Sequence, residues 1–433
     1  MIRSISLEHF KSYRDSTLPL APLSLLIGAN ASGKSNAIEG IRFLSWLAEG
    51  RRLDDLMSAV QAQDQRIRGT IANLPYEGSN TFGFRCAADI EDGERFSIDV
   101  QVSSDGMRVV SECIETEGSA VPLYRIVEPS SAYSHEVQVQ YNNFARGGKK
   151  PRIACSDQQA IFTQLETPAR FGAGHSKAQR VIPRVVSQYR KFFEEILFLD
   201  PNPRAMRQYS FVVERTLKGD GSNLSSVLYD LCVKKSQKER VLAFIKPLPE
   251  QDIRDIDFLE TPRNEVMLRV TESFGGHEQP WDAPVLSDGT LRVLAVAAAL
   301  LSAPGGSLVI IEEIDNGVHP SRAGILLENI QAAARERGAR VLLTSHNPAL
   351  LDALPAQAVP DVICCYRDPA AGDSRLVRLE DLRGYPELVA QGPLGQLMTK
   401  GIIDRYLKQQ VDAAQRRAKN LEWLDSLRGS GAV

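Results

Sequence analysis

The sequence has few cysteines that could crosslink the fold, and it lacks a long apolar run. Its six cysteines are scattered along 433 residues, with only Cys364 and Cys365 adjacent and no CxxC pair. This spacing favours buried, reduced thiols over a disulfide framework or a cysteine metal site. The longest apolar stretch runs from Val293 to Leu301, well short of the roughly 20 residues that a transmembrane helix needs. The sequence therefore predicts no membrane span.

The chain also lacks an excess of charge of either sign. It contains 51 Lys and Arg against 54 Asp and Glu, for a formal net charge of −3. This balance gives no electrostatic reason to expect a nucleic-acid partner, although it is compatible with a local basic face. The first residues carry Arg3 and Glu8, where a secretory signal would need an apolar segment. We therefore expect a cytoplasmic protein with no membrane partner.

What is present begins with two strands, a glycine-rich loop and a helix. Ile5 and Leu7 alternate with polar residues, as in a half-exposed strand. Leu23–Ile27 is an apolar run typical of a buried strand, and apolar residues then recur at helical spacing from Ser35 to Ala48.

The rest of the chain changes pattern several times. Short alternating runs with Asp-Gly turn signals over 51–120 predict an antiparallel meander. Residues 121–180 look irregular, like an insertion, and helical patterns dominate 182–246. Two further apolar runs, Leu308–Ile311 and Val341–Leu343, resemble central parallel strands, and the chain ends with an amphipathic helical pattern.

The loop after the second strand matches the phosphate-binding pattern G-x-x-x-x-G-K-[ST]. Its glycines let successive backbone N–H groups point at a phosphate, and the following helix directs its positive end at the same anion. Lys34 would reach the β- and γ-phosphate oxygens and Ser35 would bind Mg²⁺. The predicted nucleotide-binding residues are Gly28, Asn30, Ala31, Ser32, Gly33, Lys34, Ser35 and Asn36.

The apolar run 308–311 ends in two carboxylates, Glu312 and Glu313. In a P-loop enzyme the first would hold the Mg²⁺ hydration shell and the second would polarise the attacking water. Alone, two glutamates at a strand end are as often merely solvated. After a P-loop, we interpret Glu312 as a metal residue and Glu313 as the catalytic base.

Several segments resemble the SMC/RecF/OLD-like branch of ABC-type P-loop ATPases, over roughly residues 1–50 and 190–365. Leu286–Arg292 is similar to the signature motif of that branch, and Thr344–Pro348 to its switch-histidine motif. Further segments with this likeness are Phe10–Tyr13, Asp200–Arg207, Gly221–Leu224 and Asp315–Pro320.

The resemblance implies an α/β, ABC-type P-loop NTPase head with an antiparallel β subdomain, a helical lid and a C-terminal helical tail. The expected units are 1–50 (first ATPase lobe), 51–180 (β subdomain and insertion), 181–265 (lid), 266–366 (second lobe) and 367–433 (tail). The cofactors would be ATP and Mg²⁺, and ATP would be bound between two copies of the chain in a homodimer.

The resemblance also implies residue roles beyond the P-loop. His346 would sense the γ-phosphate, and Asp315 and Asn316 would form the D-loop. Ser287, Asp288, Gly289 and Thr290 would contact the partner's nucleotide in trans, although such a sequence alone is usually an ordinary helix cap. The glutamine of the lid-coupling loop is not identified, with Gln61 and Gln63 as candidates.

The biological role is less sharply defined by the sequence. The tail lacks the clustered carboxylates of a Toprim nuclease, and it repeats apolar residues from Ile403 to Leu424 at helical spacing. We expect that tail to pack on the head or on the partner copy. Our first hypothesis is a standalone ATPase sensor or scaffold in bacterial anti-phage defence, which controls a separately encoded effector such as a nuclease. The alternatives are a RecF-like ATPase that binds duplex DNA and a nucleotide-gated scaffold with negligible turnover.

Overall fold

The fold, as given by a computed structural model, consists of two large sheets, one smaller sheet and the helices that cover them. The structure describes residues 1–56, 67–130, 134–246, 252–274, 276–315 and 320–408. Among the helices in these ranges, none is both long enough and apolar enough to cross a membrane.

An eight-stranded antiparallel sheet confirms the predicted β subdomain. Its order is β2-β1-β4-β5-β6-β7-β8-β9. The strands are β1 Ile2–Phe10, β2 Tyr13–Pro19, β4 Thr81–Ala88, β5 Arg95–Ser103, β6 Gly106–Glu115, β7 Tyr124–Glu128, β8 Glu136–Tyr141 and β9 Arg152–Ser156. Alternating residues of these strands are buried, as in Val137 and Val139 of β8, because only one face packs on the core.

The interval 121–180 is not the irregular insertion that the sequence suggested. It supplies β7, β8 and β9, the helix α2 Ile161–Gln164 and the first turn of α3 Ser176–Glu194. The run Val137-Gln138-Val139-Gln140-Tyr141 carried a clear period-two signal. The surrounding turn residues obscured it.

The second sheet contains the P-loop strand at its centre. Its order is β10-β15-β16-β3-β17-β18, and all neighbours are parallel except β17 and β18. The strands are β3 Leu23–Ile27, β10 Leu197–Leu199, β15 Leu308–Ile311, β16 Arg340–Thr344, β17 Ile363–Arg367 and β18 Ser374–Arg378. β3 and β15 are buried along their whole length, because helices or the other sheet cover both faces.

Alternating residues of β3 divide the apolar core in two. Leu23 and Leu25 pack with helices α7 Asp288–Ser302 and α8 Pro320–Arg337, whereas Leu26 packs with α1 Lys34–Ala48 and the antiparallel sheet. The predicted apolar helix over 291–301 is confirmed, since its residues in α7 are buried on nearly every side.

The lid contains strands as well as the predicted helices. Its sheet is formed by β11 Ser210–Phe211, β12 Asp252–Glu260, β13 Glu265–Phe274 and β14 His277–Asp282. Its helices are α4 Pro203–Met206, α5 Leu224–Tyr229 and α6 Lys238–Ile245, with a π-helical turn at Asp230–Lys234.

The described part of the tail packs on the head. After α9 Pro348–Asp352 and the β17–β18 hairpin come three short helices, α10 Tyr385–Val389, α11 Leu394–Thr399 and α12 Ile402–Lys408. Ile403 and Leu407 are buried against the α7–α8 core. The remaining apolar positions of the predicted tail helix, from residue 411 onward, lie outside the described residues.

Candidate active site

The P-loop spans the turn between β3 and α1, as the sequence predicted. Gly28 and Gly33 have φ angles of 154° and 121°, which side-chain-bearing residues rarely adopt. A Cβ at Gly28 would lie 2.2 Å from the Cys365 carbonyl oxygen, and one at Gly33 would lie 2.4 Å from Ser374 Oγ. Both glycines are therefore required by close contacts with the β17–β18 hairpin.

Lys34 lies folded over the loop that precedes it. Its Nζ donates to the carbonyl oxygens of Gly28 at 2.5 Å and Ala29 at 3.0 Å. Burial lowers the pKa of the Lys34 ammonium, and the electrostatic interactions with Cys365 and Glu313 oppose that shift. Phosphate oxygens are stronger acceptors than neutral carbonyls, so the ammonium is placed to exchange its present partners for an anion.

A cleft of about 550 Å³ opens in front of the P-loop. It brings together the predicted residues from Asn30 to Asn36 and the switch residue His346, and it also has a cationic rim. Its lining residues are Lys11, Asn30, Ala31, Ser32, Gly33, Lys34, Ser35, Asn36, Glu39, Arg68, Gly69, His346 and Arg367. The size suits a nucleotide-class ligand.

One acidic side chain in the cleft, Glu39, is neutralised by two cations. Glu39 is 5% exposed and forms ion pairs with Lys11 and with Arg68, whose Nε lies 2.5 Å from Glu39 Oε1. Lys11 also donates to the Arg68 carbonyl oxygen at 2.7 Å. The cleft therefore keeps a positive balance, which suits a polyphosphate.

The two glutamates after β15 line one small pocket but make different contacts. Glu313 has a φ of 50°, and its N–H donates to Thr344 Oγ1 at 2.9 Å. This contact with β16 supports a conformation that costs about 1–2 kcal/mol in an L-residue. Glu312 instead forms an ion pair with Arg42 of α1, at 2.8 Å between Oε1 and Nη2.

His346 lies beside the P-loop because β16 pairs directly with β3, with Thr344 opposite Leu26. Its side chain is exposed towards the cleft. The backbone just beyond it is fixed where Asn347 caps α9, its side chain accepting from the Ala349 N–H at 3.0 Å. His346, the residue predicted to be the switch histidine, therefore lies next to the P-loop.

The signature residues lie at the start of α7. Ser287 Oγ accepts from the Thr290 N–H at 3.1 Å and caps the helix. Arg207 bonds both the Asp288 carboxylate, at 2.6 Å, and the Leu286 carbonyl oxygen, at 2.9 Å. Among the described residues that line the P-loop cleft, none comes from 287–290, so the signature residues lie outside this cleft.

The predicted D-loop and lid-coupling residues lie partly outside the described residues. Asp315 follows the two carboxylates in the turn after β15. Asn316 and the two glutamine candidates, Gln61 and Gln63, lie outside the described residues.

Three residues that support the P-loop were not predicted as site residues. Ser374 Oγ donates to the Ser32 carbonyl oxygen at 2.6 Å and lies 2.8 Å from Ser12 Oγ. The Tyr13 hydroxyl donates to the Gly33 carbonyl oxygen at 3.0 Å. The only sequence signal was the segment Phe10–Tyr13, which resembles the family, and nothing in the sequence singled out Ser374.

Comparisons with known proteins point to one class of ATPase. A family model described as "AAA domain, putative AbiEii toxin, Type IV TA system" matches residues 23–352, well over half of the chain. The chain is 18% identical over 368 residues to the ATP/GTP phosphatase of Helicobacter pylori (strain ATCC 700392 / 26695), covering 82% of this chain and 87% of that protein.

A shorter match links the chain to a DNA-repair protein. It is 36% identical over 75 residues to the DNA replication and repair protein RecF of Synechococcus sp. (strain JA-2-3B'a(2-13)). The match covers 17% of this chain and 20% of RecF, so the chain spans about a fifth of that relative's length.

Two solved structures align with most of the chain at low identity. The SmcHead bound to the C-winged helix domain of ScpA has a TM-score of 0.48 and 13% identity, covering 87% of this chain and 96% of that chain. The SMC head domain from Thermotoga maritima has a TM-score of 0.42 and 14% identity, covering 87% and 98%.

Proposed function

This chain belongs to that AAA-domain family and is an ABC-type P-loop ATPase of the SMC/RecF branch, and on that premise we propose how it works. It binds MgATP between two copies of its head, and the closed dimer controls a separately encoded effector in bacterial anti-phage defence. The observation that supports this most directly is the separation of the signature from the P-loop. Lys34 and His346 line one cleft, and Ser287 lies elsewhere.

The chain's own residues divide the work of hydrolysis. Lys34 exchanges its two carbonyl partners for the β- and γ-phosphate oxygens. Glu313 takes a proton from a water whose oxygen attacks the γ-phosphorus, and the bond to the β–γ bridging oxygen breaks to leave ADP. His346 hydrogen-bonds the γ-phosphate from the adjacent strand end.

The donor set at this site fits Mg²⁺. Ser35 lines the cleft, and Glu312 directly follows β15. Both offer the hard oxygen ligands that Mg²⁺ prefers, with water completing its shell. Ser35 would hold the ion directly and Glu312 through water, and the bound ion would neutralise charge that develops on the phosphate oxygens.

A second copy supplies the part of the site that one chain lacks. The α7 N-terminus presents exposed Ser287 and Asp288, and Arg207 offsets the charge of the Asp288 carboxylate. Free N–H groups and the helix dipole make such an end an anion site. A γ-phosphate held by the partner's P-loop fits it.

The effector hypothesis is supported by the family description, which names a toxin and a toxin–antitoxin system. Tagged Glu313→Gln, purified from its native cells with MgATP, should retain ATP and carry a stoichiometric protein partner. Lys34→Ala should lose that partner, because it cannot bind the nucleotide. Recovery of Glu313→Gln without a protein partner would contradict effector control, but it would not bear on the assignment of the chain as an ATPase.

The similarity to RecF favours one second candidate, a DNA-maintenance ATPase. That function predicts duplex-DNA binding which requires ATP and weakens steeply with salt as counterions are released. Fluorescence anisotropy of labelled duplex DNA at two salt concentrations, with and without MgATP, would test it. Binding that depends on neither ATP nor salt would exclude this candidate.

A further inference from the structure

The carboxylate proposed to serve the metal is already engaged by a cation of the same chain. Arg42 lies about two turns along α1 from Lys34. Its Nη2 is 2.8 Å from Glu312 Oε1. The guanidinium carbon also lies 4.4 Å from the centroid of the Phe198 ring on β10. Arg42 is therefore fixed on two sides, by an ion pair and by an aromatic face.

In this arrangement Glu312 is paired with Arg42 and is not among the residues that line the P-loop cleft. Among the described residues, Glu312 lines a separate small pocket together with Glu313, Pro201 and Arg292, whereas Ser35 lines the cleft. Phe198 cannot follow Glu312 freely, because β10 pairs with β15 with Phe198 opposite Ile310. The Phe198 ring on which Arg42 stacks therefore stays in place, whereas the Glu312 side chain is able to rotate.

We propose that Arg42 is a positioning residue that holds the Glu312 carboxylate in the nucleotide-free protein and releases it when Mg²⁺ and nucleotide bind. The inference rests on the metal role proposed for Glu312 above. Mg²⁺ then competes with the guanidinium for one carboxylate, so Arg42 sets the Mg²⁺ concentration at which nucleotide binding tightens. The pair is partly exposed, with 25% and 31% of the two side chains accessible, and exposed pairs are weak enough to exchange readily.

The test is a Mg²⁺ titration of the binding of a fluorescent, non-hydrolysable ATP analogue to the full chain, with its affinity in EDTA as a second readout. Arg42→Gln should lower the Mg²⁺ midpoint by about two- to six-fold, the range expected from removing one such pair. Arg42→Lys keeps the charge and should stay near the wild-type midpoint. Arg42→Met keeps the apolar contact with Phe198 and provides a second uncharged variant should Arg42→Gln fold poorly. Arg184→Gln, which removes the two exposed ion pairs between Arg184 of α3 and the loop residues Glu91 and Asp92, is the control.

The outcomes separate this inference from the function on which it rests. If wild type shows a Mg²⁺ midpoint and Glu312→Gln raises it, the metal role stands. An unchanged or raised midpoint in both Arg42→Gln and Arg42→Met then overturns the positioning role alone. If Glu312→Gln behaves like wild type, the metal role and the Arg42 inference fail together. A lowered midpoint that disappears when Glu312→Gln is added to Arg42→Gln supports the proposal.

Discussion

At the scale of single residues, Glu112 is a buried carboxylate that ties two parts of the β subdomain together. It is 1% exposed and accepts hydrogen bonds from the Tyr124 hydroxyl and from the N–H groups of Ile161 and Phe162, each at 2.7 Å. Burial raises the pKa of Glu112 from 4.5 to about 7, and the three hydrogen bonds oppose the shift. Its ionisation is therefore coupled to folding.

The folded-state pKa lies above the unfolded value, so the folded chain keeps a proton between pH 4.5 and 7 that the unfolded chain has released. We predict that the free energy of unfolding falls as pH rises through this interval, by at most about 3 kcal/mol from this group. Glu112→Gln should flatten the profile, as measured by urea unfolding at a series of pH values. Glu115→Gln, at an exposed site on the same strand, should keep the wild-type slope, and equal slopes in both variants would contradict the prediction.

Local and distant contacts differ in what the sequence could reveal about the site. The P-loop, the two carboxylates and His346 are short motifs at strand ends, so their positions could be predicted from neighbouring residues. Arg42 contacts Glu312, from which it is separated by 270 positions in the sequence, and Ser374 contacts Ser32, from which it is separated by 342. No spacing rule covers such pairs, because they exist only once the two lobes have assembled.

At the scale of elements, the β17–β18 hairpin is a second support for the P-loop. Besides the Ser374 contacts, Arg367 Nε donates to the Ala31 carbonyl oxygen at 3.3 Å. The strand that ends at Arg367 pairs in parallel with β3, with Ile363 opposite Leu26. The hairpin therefore fixes the loop through hydrogen bonds to the carbonyl oxygens of Ala31 and Ser32.

We predict that Ser374→Ala weakens ATP binding about five-fold, because a hydrogen bond to a loop carbonyl contributes about 1 kcal/mol. The rate at saturating ATP should change little, because Ser374 contacts the loop and not the cleft. Calorimetric binding and steady-state kinetics would separate the two effects. Ser97→Ala, which removes a hydroxyl contact to Cys113 in the antiparallel sheet, is the control, and an equal loss of affinity there would point to general destabilisation.

Elements with a single clear period were predicted well, and those interrupted by turns were not. Apolar runs in the sequence directly predicted the parallel strands β3, β15 and β16 and the apolar helix α7. β7 to β9 alternate over only five or six residues each, and the proline, glycine and lysine residues between them dominated the pattern. β18 is equally short, with five residues, and it lies in the segment that the sequence predicted to be a helical tail.

At the scale of the whole molecule, the proposed dimer makes each active site a product of two chains. In a two-fold symmetric assembly each site would combine the P-loop of one copy with the signature of the other. A defect in Lys34 and a defect in Ser287 then damage different halves of the same site. The two defects should complement each other when they lie in different subunits.

We predict that Lys34→Ala and Ser287→Arg are each inactive alone, and that mixing them restores activity. Random pairing makes half of the dimers mixed, and each mixed dimer has one intact site of two, so the rate should reach about a quarter of wild type at equal total protein. Phosphate release measured across mixing ratios should peak at one to one. A chain that hydrolyses ATP within one subunit would give no recovery at any ratio. A Lys34→Ala, Ser287→Arg double variant mixed with either single variant is the control, since such a pair contains no intact site.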